Sequence, residues 1–502
     1  MISDELTYRI REAFGYVPTA EQQQAIGVFA DFMTSRRDEA VMLLRGSAGT
    51  GKTTLAAAIV RALLGLKQKL VLMAPTGRAA KVFSLYAGHA AYTVHRRIYR
   101  QKSLEGSFGL GYNSAADTLF IVDEASMLAN GAAAGDTPFA NGQLLDDLIH
   151  FVYNGRNCRL MLIGDKAQLP PVGQTESPAL ATGVLRGYGL HVYACDLSEV
   201  LRQSAASGIL YNATRIRQLN PALMPPGAAT DQPLVLPRVR FQGFADIRCV
   251  PGDELIESLA TSYSRAGLDE TMVITRSNKR ADIYNQGIRN QLLGREEQLS
   301  TGDLLMVVKN NYYWLNPPAA PADGSRPTAV ADPQATSIRG SYIANGDRAV
   351  VRRVRRIEEL YGFHFAEVTM TFPDYDDYEL TATVLLDTLC SEAPALTAEQ
   401  QTLLYNQVMQ DYADIPLKAD RLKRLKADRY YNALQVKFAY AATCHKAQGG
   451  QWAHVYVDQG YMTDDMLTPA YLHWLYTAFT RATEQLFLVN WPKTQTEGPA
   501  DG

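Results

Sequence analysis

Residues 41–64 read VMLLRGSAGTGKTTLAAAIVRALL. Four apolar residues, Val41–Leu44, lead through Arg45 into Gly46-Ser47-Ala48-Gly49-Thr50-Gly51-Lys52-Thr53, and Thr54–Leu64 has helical spacing. A short unbroken apolar run suits a strand buried on both faces. The glycine-rich stretch matches G-x-x-x-x-G-K-[ST] in full, in the strand–loop–helix context that gives the pattern its meaning. Backbone N–H groups from Gly46 to Thr54 are expected to close around phosphate oxygens, where a helix N-terminus adds favourable partial charge. Lys52 is placed to reach β- and γ-phosphates, and the Thr53 hydroxyl to hold Mg²⁺. ATP and Mg²⁺ are therefore the expected cofactors. A functionless glycine-rich turn is the competing reading, and the strand and helix around it weigh against it.

Leu119-Phe-Ile-Val-Asp123-Glu124 supplies the second half. Carboxylates at the end of a buried strand can hold Mg²⁺ and polarise water, which makes Asp123 the metal-side group and Glu124 the candidate general base. Alone, the pair would equally suit a solvated strand end. Behind a complete phosphate loop it implies nucleotide hydrolysis, though not what hydrolysis drives.

Outward from these motifs, Leu70–Ala74 and Leu160–Ile163 repeat the buried-strand pattern, with helical spacing between. The rhythm returns at Met272–Thr275, Val436–Ala442, Val455–Asp458 and Leu486–Asn490. Between these groups, Asp303–Lys309, Asp347–Val354, Phe363–Phe372 and Leu380–Leu386 are rich in Val, Thr, Phe and Tyr and read as antiparallel strands. The fold class is thus α/β: two parallel-sheet cores, the second interrupted by a β insertion. Asn316–Pro333 reads as a Pro- and Ala-rich loop, and Thr397–Tyr431 as helical, with Thr397 and Gln400 forming a capping box.

The 502 residues carry 47% hydrophobic and 20% charged side chains, an ordinary globular composition. No apolar run reaches the roughly 18–20 residues of a membrane span, and MISDELTYRIREAFGY has no apolar signal segment. A cytoplasmic protein without membrane partners is expected. Cys158, Cys195, Cys249, Cys390 and Cys444 are scattered, which argues against a disulfide framework, a zinc site or an iron–sulfur cluster. The net charge of −3 argues mildly against a nucleic-acid binder but leaves room for a locally basic groove.

From about Thr19 to about Asn490 the order of motifs resembles a superfamily 1 helicase of the RecD-like and Dda-like branch, which moves 5′ to 3′. Thr19-Ala-Glu-Gln22 is similar to the family's adenine-reading segment. Ala74-Pro75-Thr76-Gly77-Arg78-Ala79-Ala80-Lys81 and Thr93-Val-His95 are similar to its first two DNA-contacting motifs. Gly164-Asp165-Lys-Ala-Gln168-Leu-Pro170-Pro171-Val-Gly173 resembles the motif that senses γ-phosphate through Gln168. Leu201-Arg202-Gln203 implies a first arginine finger, Arg202, and Tyr476-Thr477-Ala-Phe-Thr480-Arg481-Ala482 a second, Arg481. Thr443-Cys-His445-Lys446-Ala-Gln448-Gly449 resembles the motif joining DNA to the nucleotide, with Gly449 on the nucleotide side. An arginine at the developing γ-phosphate charge is worth on the order of 10³–10⁵ in rate. Should both fingers come from the second core, the site would be complete only when the cores close.

The resemblance implies two RecA-like P-loop domains with parallel sheets, a pin hairpin, an SH3-like β insertion and a helical extension. The expected boundaries are 1–200 for the first core, with the pin at about 99–117, then 201–300 and 434–492 for the second. The insertion spans 301–395, the extension 396–433 and a tail 493–502. The DNA track is expected to use Pro75, Thr76, Arg78, Lys81, Thr93, His95, Arg96, Pro170, Pro171, Thr443, His445 and Lys446, although each hydroxyl or histidine equally suits a helix cap or a satisfied hydrogen bond. In the pin, Phe108 or Tyr112 is the candidate wedge; a surface loop with a stray aromatic is the alternative. Arg348, Arg352, Arg353, Arg355 and Arg356 form a basic run in the insertion. Lys418, Arg421, Lys423, Arg424, Lys426 and Arg429 form another in the extension, where a solvated face, DNA contact, a strut or a protein partner all remain open.

Two functions fit. One is an ATP-dependent DNA helicase, expected to be a monomer acting on single-stranded and forked duplex DNA. The other is an ATPase switch stimulated by single-stranded DNA, or a motor subunit of a larger complex that does not unwind alone.

Overall fold

The computed structural model describes residues 2–101, 108–131, 143–200, 206–223, 234–315 and 343–497. Two compact units emerge: residues 1–100, 109–255 and 447–502 form one, and 101–108 with 256–446 the other.

In the first unit, strands β1 (Ala40–Gly46), β2 (Lys69–Ala74), β3 (Ala91–Thr93), β6 (Thr118–Val122), β7 (Arg159–Gly164) and β8 (His191–Leu197) form a sheet in the order β3-β2-β6-β7-β1-β8. Its neighbours pair in parallel throughout. β1 and β6 are buried from end to end, the reason their sequences are unbroken apolar runs. The carboxyl ends of β1, β2, β6 and β7 release the phosphate loop, Pro75–Lys81, Asp123–Glu124 and the Asp165–Gly173 segment along one edge. Open α/β sheets place ligands along such an edge. The short strands β4 (Tyr99–Gln101) and β5 (Phe108–Leu110) pair as a two-stranded sheet at the expected pin. The unit also contains three parallel strands, Trp452–Asp458, Ala482–Val489 and Ile247–Val250. Helix Pro469–Phe479 is buried along Tyr471–Phe479.

In the second unit, Leu304–Val307, Arg348–Leu360, Phe363–Phe372, Tyr378–Leu385 and Leu434–Phe438 close into a barrel. This corrects one sequence expectation. Val436–Ala442 is not a single strand of the α/β core. Leu434–Phe438 lies in the barrel, while Ala441–Thr443 pairs in parallel with Thr271–Thr275. The buried Asn285 amide enforces the break. Its Oδ1 accepts from the Tyr440 and Ala441 N–H groups at 3.1 and 2.8 Å, and its Nδ2 donates to the Phe438 and Ala441 carbonyls. Asp303, with no exposed surface, anchors the barrel's entry. It accepts from Arg289 Nη2 (3.0 Å), Arg295 Nη1 (2.8 Å) and the Tyr440 hydroxyl (2.8 Å).

The stretch after the barrel forms two helices, Ala398–Gln410 and Lys418–Lys426, the first carrying the Thr397–Gln400 capping box. Leu404, Val408 and Leu425 join Phe363, Phe365 and Leu385 in one apolar cluster. Tyr361 donates to Asp411 (2.5 Å), Tyr412 to Asp428 (2.9 Å) and Tyr430 to Glu358 (2.7 Å). The extension is therefore docked on the barrel, with Lys418, Lys423, Arg424 and Lys426 left outward. Arg348 leaves the expected basic run, since it is buried against the Asp269 carbonyl. Arg352, Arg353, Arg355 and Arg356 are all exposed, because register shifts between Val351 and Arg353 and between Arg355 and Glu358 break the usual alternation. Residues 316–333, expected to be a loop, lie outside the described residues.

Candidate nucleotide site and nucleic-acid track

Gly49 and Gly51 hold φ of +79° and +78°, a region that favours glycine. A Cβ at Gly46 would stand 2.7 Å from Thr50 Oγ1 and 2.9 Å from Lys52 Cγ, so side-chain space there is already taken. Three donors converge on the Ser47 carbonyl: Thr50 N–H, the Thr50 hydroxyl (2.8 Å) and Lys52 Nζ (2.9 Å). Gln22 is buried, donating to the Thr50 carbonyl at 3.0 Å while its Oε1 accepts from Thr19 N–H. It braces the loop from the segment expected to read adenine. Thr53 is half-buried and Thr54 exposed at the start of helix Lys52–Gly65.

Asp123 follows β6, and its Oδ1 accepts the Glu124 N–H at 2.8 Å. Burial, then the charge of Glu124, pushes the Asp123 carboxyl up to about 7, against the pull of Lys52. A divalent cation would relieve that desolvation. Among the described residues no group of three His, Cys, Asp or Glu is poised to hold a metal. Thr53 and Asp123 are the groups that would hold Mg²⁺ beside a bound phosphate. Glu124 takes φ +52°, uncommon outside glycine, at the turn after the strand. Its Oε1 lies 4.0 Å from Arg481 Nη1. Arg481 is 2% exposed and held by the Thr477 and Gly450 carbonyls at 3.1 and 3.0 Å, so its guanidinium is directed to the Glu124 side of the site.

Asp165 and Gln168 complete this edge. Asp165 Oδ2 stands 4.0 Å from Lys52 Nζ and accepts from the Tyr476 hydroxyl at 2.6 Å. The same hydroxyl accepts the Ala48 N–H at 2.8 Å. Burial, then the Asp165 charge, holds the Tyr476 pKa well above its ordinary value, so the phenol stays protonated and donates. Helix Pro469–Phe479 makes further contacts here, Thr477 Oγ1 accepting from Leu169 N–H at 2.8 Å and His473 meeting the Ala167 carbonyl at 2.9 Å. Gln448 Nε2 donates to the Leu169 carbonyl at 2.7 Å. Gln168 is 7% exposed, and its Oε1 has no hydrogen-bond partner among the described residues. A buried amide oxygen without a donor is the exception that asks for a ligand or water.

Residues 19–222 match the family model described as an AAA domain, and residues 438–489 match the UvrD-like helicase C-terminal domain. Over 179 residues the chain is 32% identical to the ATP-dependent RecD2 DNA helicase of Deinococcus radiodurans, covering 34% of this chain and 21% of that protein. These matches make the chain similar to superfamily 1 helicases of the RecD-like branch. The chain is also 24% identical over 327 residues to the ATP-dependent DNA helicase dda of Enterobacteria phage T4, covering 61% of this chain and 62% of that one. The crystal structure of Pif1 helicase from Bacteroides in complex with ADP-AlF3 and ssDNA aligns over 96% of this chain and 95% of that chain, at 15% identity and TM-score 0.44. The chain thus spans less than two thirds of the length of the two curated helicases, 21% and 62%.

The expected DNA-contacting residues divide by what already occupies them. Thr76 and Thr93 are helix caps, accepting the Ala79 and Arg96 N–H groups at 3.2 and 3.3 Å. The Arg78 guanidinium lies 4.8 Å from the Trp452 ring centroid and donates to the Gln451 carbonyl, so it holds the turn after Gly449. Gly449, expected on the nucleotide side, packs against the Thr76 turn. A Cβ there would meet Thr76 Oγ1 at 3.1 Å, and Ala79 and Met127 at 3.4 Å. Pro75, Lys81, Arg96 and Pro170 are partly exposed, whereas Pro171 is buried and Val172 beside it is 82% exposed. Burial pushes His95 down to about 4, which makes it a neutral ring rather than a cation at neutral pH.

In the second unit, Thr443 ends its strand half-buried, and His445 and Lys446 follow on a short helix. Burial lowers the pKa of His445, and burial with the charge of Lys437 brings Lys446 to about 8. Arg202 lies outside the described residues, as does the side chain of Phe108, whereas Tyr112 is 87% exposed. Sequence reading missed the Tyr476 bridge, the exposed Val172 and the Arg78–Trp452 stack. For Tyr476, the available signal was a phenol placed five residues before the motif's arginine.

Proposed function

We propose that this protein is an ATP-dependent DNA helicase that translocates on single-stranded DNA from 5′ to 3′ and separates duplex DNA. The observation that carries the reading is the convergence of Lys52, Asp123, Glu124, Asp165, Gln168 and Arg481 along the edge where the phosphate loop emerges. Lys52 neutralises charge on the β- and γ-phosphates, Thr53 and Asp123 hold Mg²⁺, and Glu124 takes the proton of the attacking water. When bound there, Mg²⁺ would supply charge neutralisation of the phosphate oxygens. Arg481 stabilises charge developing on the γ-phosphoryl oxygens, together with Arg202 as a second donor. Gln168 senses the terminal phosphate, and Tyr476 ties the Asp165 segment to the loop. The RecD2 and dda relatives are ATP-dependent DNA helicases, which supports the choice of DNA and of strand separation.

The decisive experiment is an unwinding assay on forked duplexes carrying a single 5′ or 3′ tail, in DNA and in RNA. ATP-dependent separation of the 5′-tailed DNA fork alone is expected. Hydrolysis stimulated by single-stranded DNA without separation of any fork would instead favour the ATPase switch or motor subunit. No helix among the described residues is long and apolar enough to cross a membrane.

A further inference from the structure

Helix Gly208–Gln218 runs along the phosphate loop. Near its start, Leu210 packs against the loop backbone, and a Cβ on Gly49 would stand 3.1 Å from Leu210 Cδ1. Residues seven apart lie on one helix face. Seven residues on from Leu210, Arg217 donates from Nη1 to the Ser47 hydroxyl. Its charge also reaches the Glu21 carboxylate and the Tyr476 phenol. Lys52 meanwhile donates to the Ser47 carbonyl at 2.9 Å.

Two cations therefore converge on one small, neutral, buried residue. Lys52 has Asp165 at 4.0 Å. Among the described residues Arg217 forms no ion pair, and Glu21 is engaged by the Ser198 hydroxyl and the backbone N–H groups of Ser198 and Glu199. Like charges held together away from water repel, and an anion between them reverses that cost. A hydroxyl is a weak partner for a guanidinium. A phosphoryl group accepts two parallel charge-assisted bonds from the same planar fork.

We propose that Arg217 is a nucleotide-contacting residue of this site, leaving Ser47 for the terminal phosphoryl oxygens when a nucleoside triphosphate occupies the loop. It is additional to Arg202 and Arg481 and comes from a helix outside the motifs that carry the family resemblance. Because its target is the terminal group, Arg217 discriminates triphosphate from diphosphate. This rests on reading the loop as a nucleotide cradle.

The test compares wild type with Arg217→Ala and Arg217→Gln, both uncharged and compatible with a helix. Dissociation constants are measured for a non-hydrolysable ATP analogue and for ADP, each with Mg²⁺, and melting temperatures check the fold. The analogue should weaken by roughly tenfold or more, the scale of one lost charge-assisted contact, while ADP stays within about twofold. Equal losses for both nucleotides, or no loss for either, overturn the assignment. Should Ala unfold the helix, Gln keeps the stem and carries the comparison. Wild type failing to bind either nucleotide would instead refute the cradle itself.

Discussion

The Tyr476 hydroxyl donates to Asp165 Oδ2 at 2.6 Å. It also accepts the Ala48 N–H at 2.8 Å, so one phenol ties the phosphate loop to the segment carrying Gln168. Tyr476→Phe leaves a buried carboxylate and a loop N–H without their partner. A stability loss of about 1–3 kcal/mol is expected, together with slower ATP turnover. Thermal unfolding and steady-state hydrolysis measure both, and unchanged turnover in a destabilised variant would make the bridge purely structural.

Lys52→Ala should abolish hydrolysis and leave the melting temperature close to wild type. The resting lysine makes one hydrogen bond, to the Ser47 carbonyl, and a long 4.0 Å ion pair with Asp165, and its proposed work is on bound phosphate. Normal turnover would remove Lys52 from the site.

Lys446 carries a pH signature. Burial and the charge of Lys437 bring it to about 8, so it is charged below that value and neutral above it. With Lys446 in its proposed DNA-contacting role, affinity for single-stranded DNA should therefore fall between about pH 7 and about pH 9 as one cation is lost. Lys446→Gln should flatten that slope in a fluorescence titration. For folding the sign is opposite. The unfolded chain, with the ordinary value of 10.5, binds the extra proton between about 8 and 10.5, so this group makes the folded state gain stability as pH rises through that window. An identical affinity slope in the variant would clear Lys446 of DNA contact.

Asp303→Asn should be among the most damaging substitutions in the second unit. Arg289 and Arg295 both point at this fully buried carboxylate, at 3.0 and 2.8 Å. Breaking such a buried pair costs roughly 3–5 kcal/mol. Urea unfolding followed by fluorescence would show it, and a loss well under about 1 kcal/mol would mean the arginines find other partners.

Phe108→Ala and Tyr112→Ala separate the two candidate wedges. Each base-pair step costs roughly 1.4 kcal/mol of stacking, and an aromatic platform returns about 1–3 kcal/mol per base. The true wedge, when truncated, should slow unwinding far more than DNA-stimulated hydrolysis. Equal losses in both assays exclude that residue as the pin.

The candidate nucleotide site was legible as a pattern because its chemistry is written contiguously. Glycines at the loop and a carboxylate pair ending a buried strand are local patterns, and the structure sets them along one sheet edge. The capping box at Thr397 was legible for the same reason. Val436–Ala442 misled because an apolar run says that a strand is buried, not in which sheet, and only the distant Asn285 amide divides it. The Arg78 stack was hidden because its partner, Trp452, lies far along the chain. Arg217 was silent, since nothing near it in sequence mentions Ser47. Patterns report a residue's neighbours along the chain, whereas cation placement is decided by neighbours in space.

The tyrosine–carboxylate contacts that fasten the helices after Thr397 to the barrel bear on how this molecule can be shortened. Excising those helices would bare Phe363, Phe365 and Leu385 to water at once. A trimmed version should clump and fall out of solution rather than behave as a smaller engine.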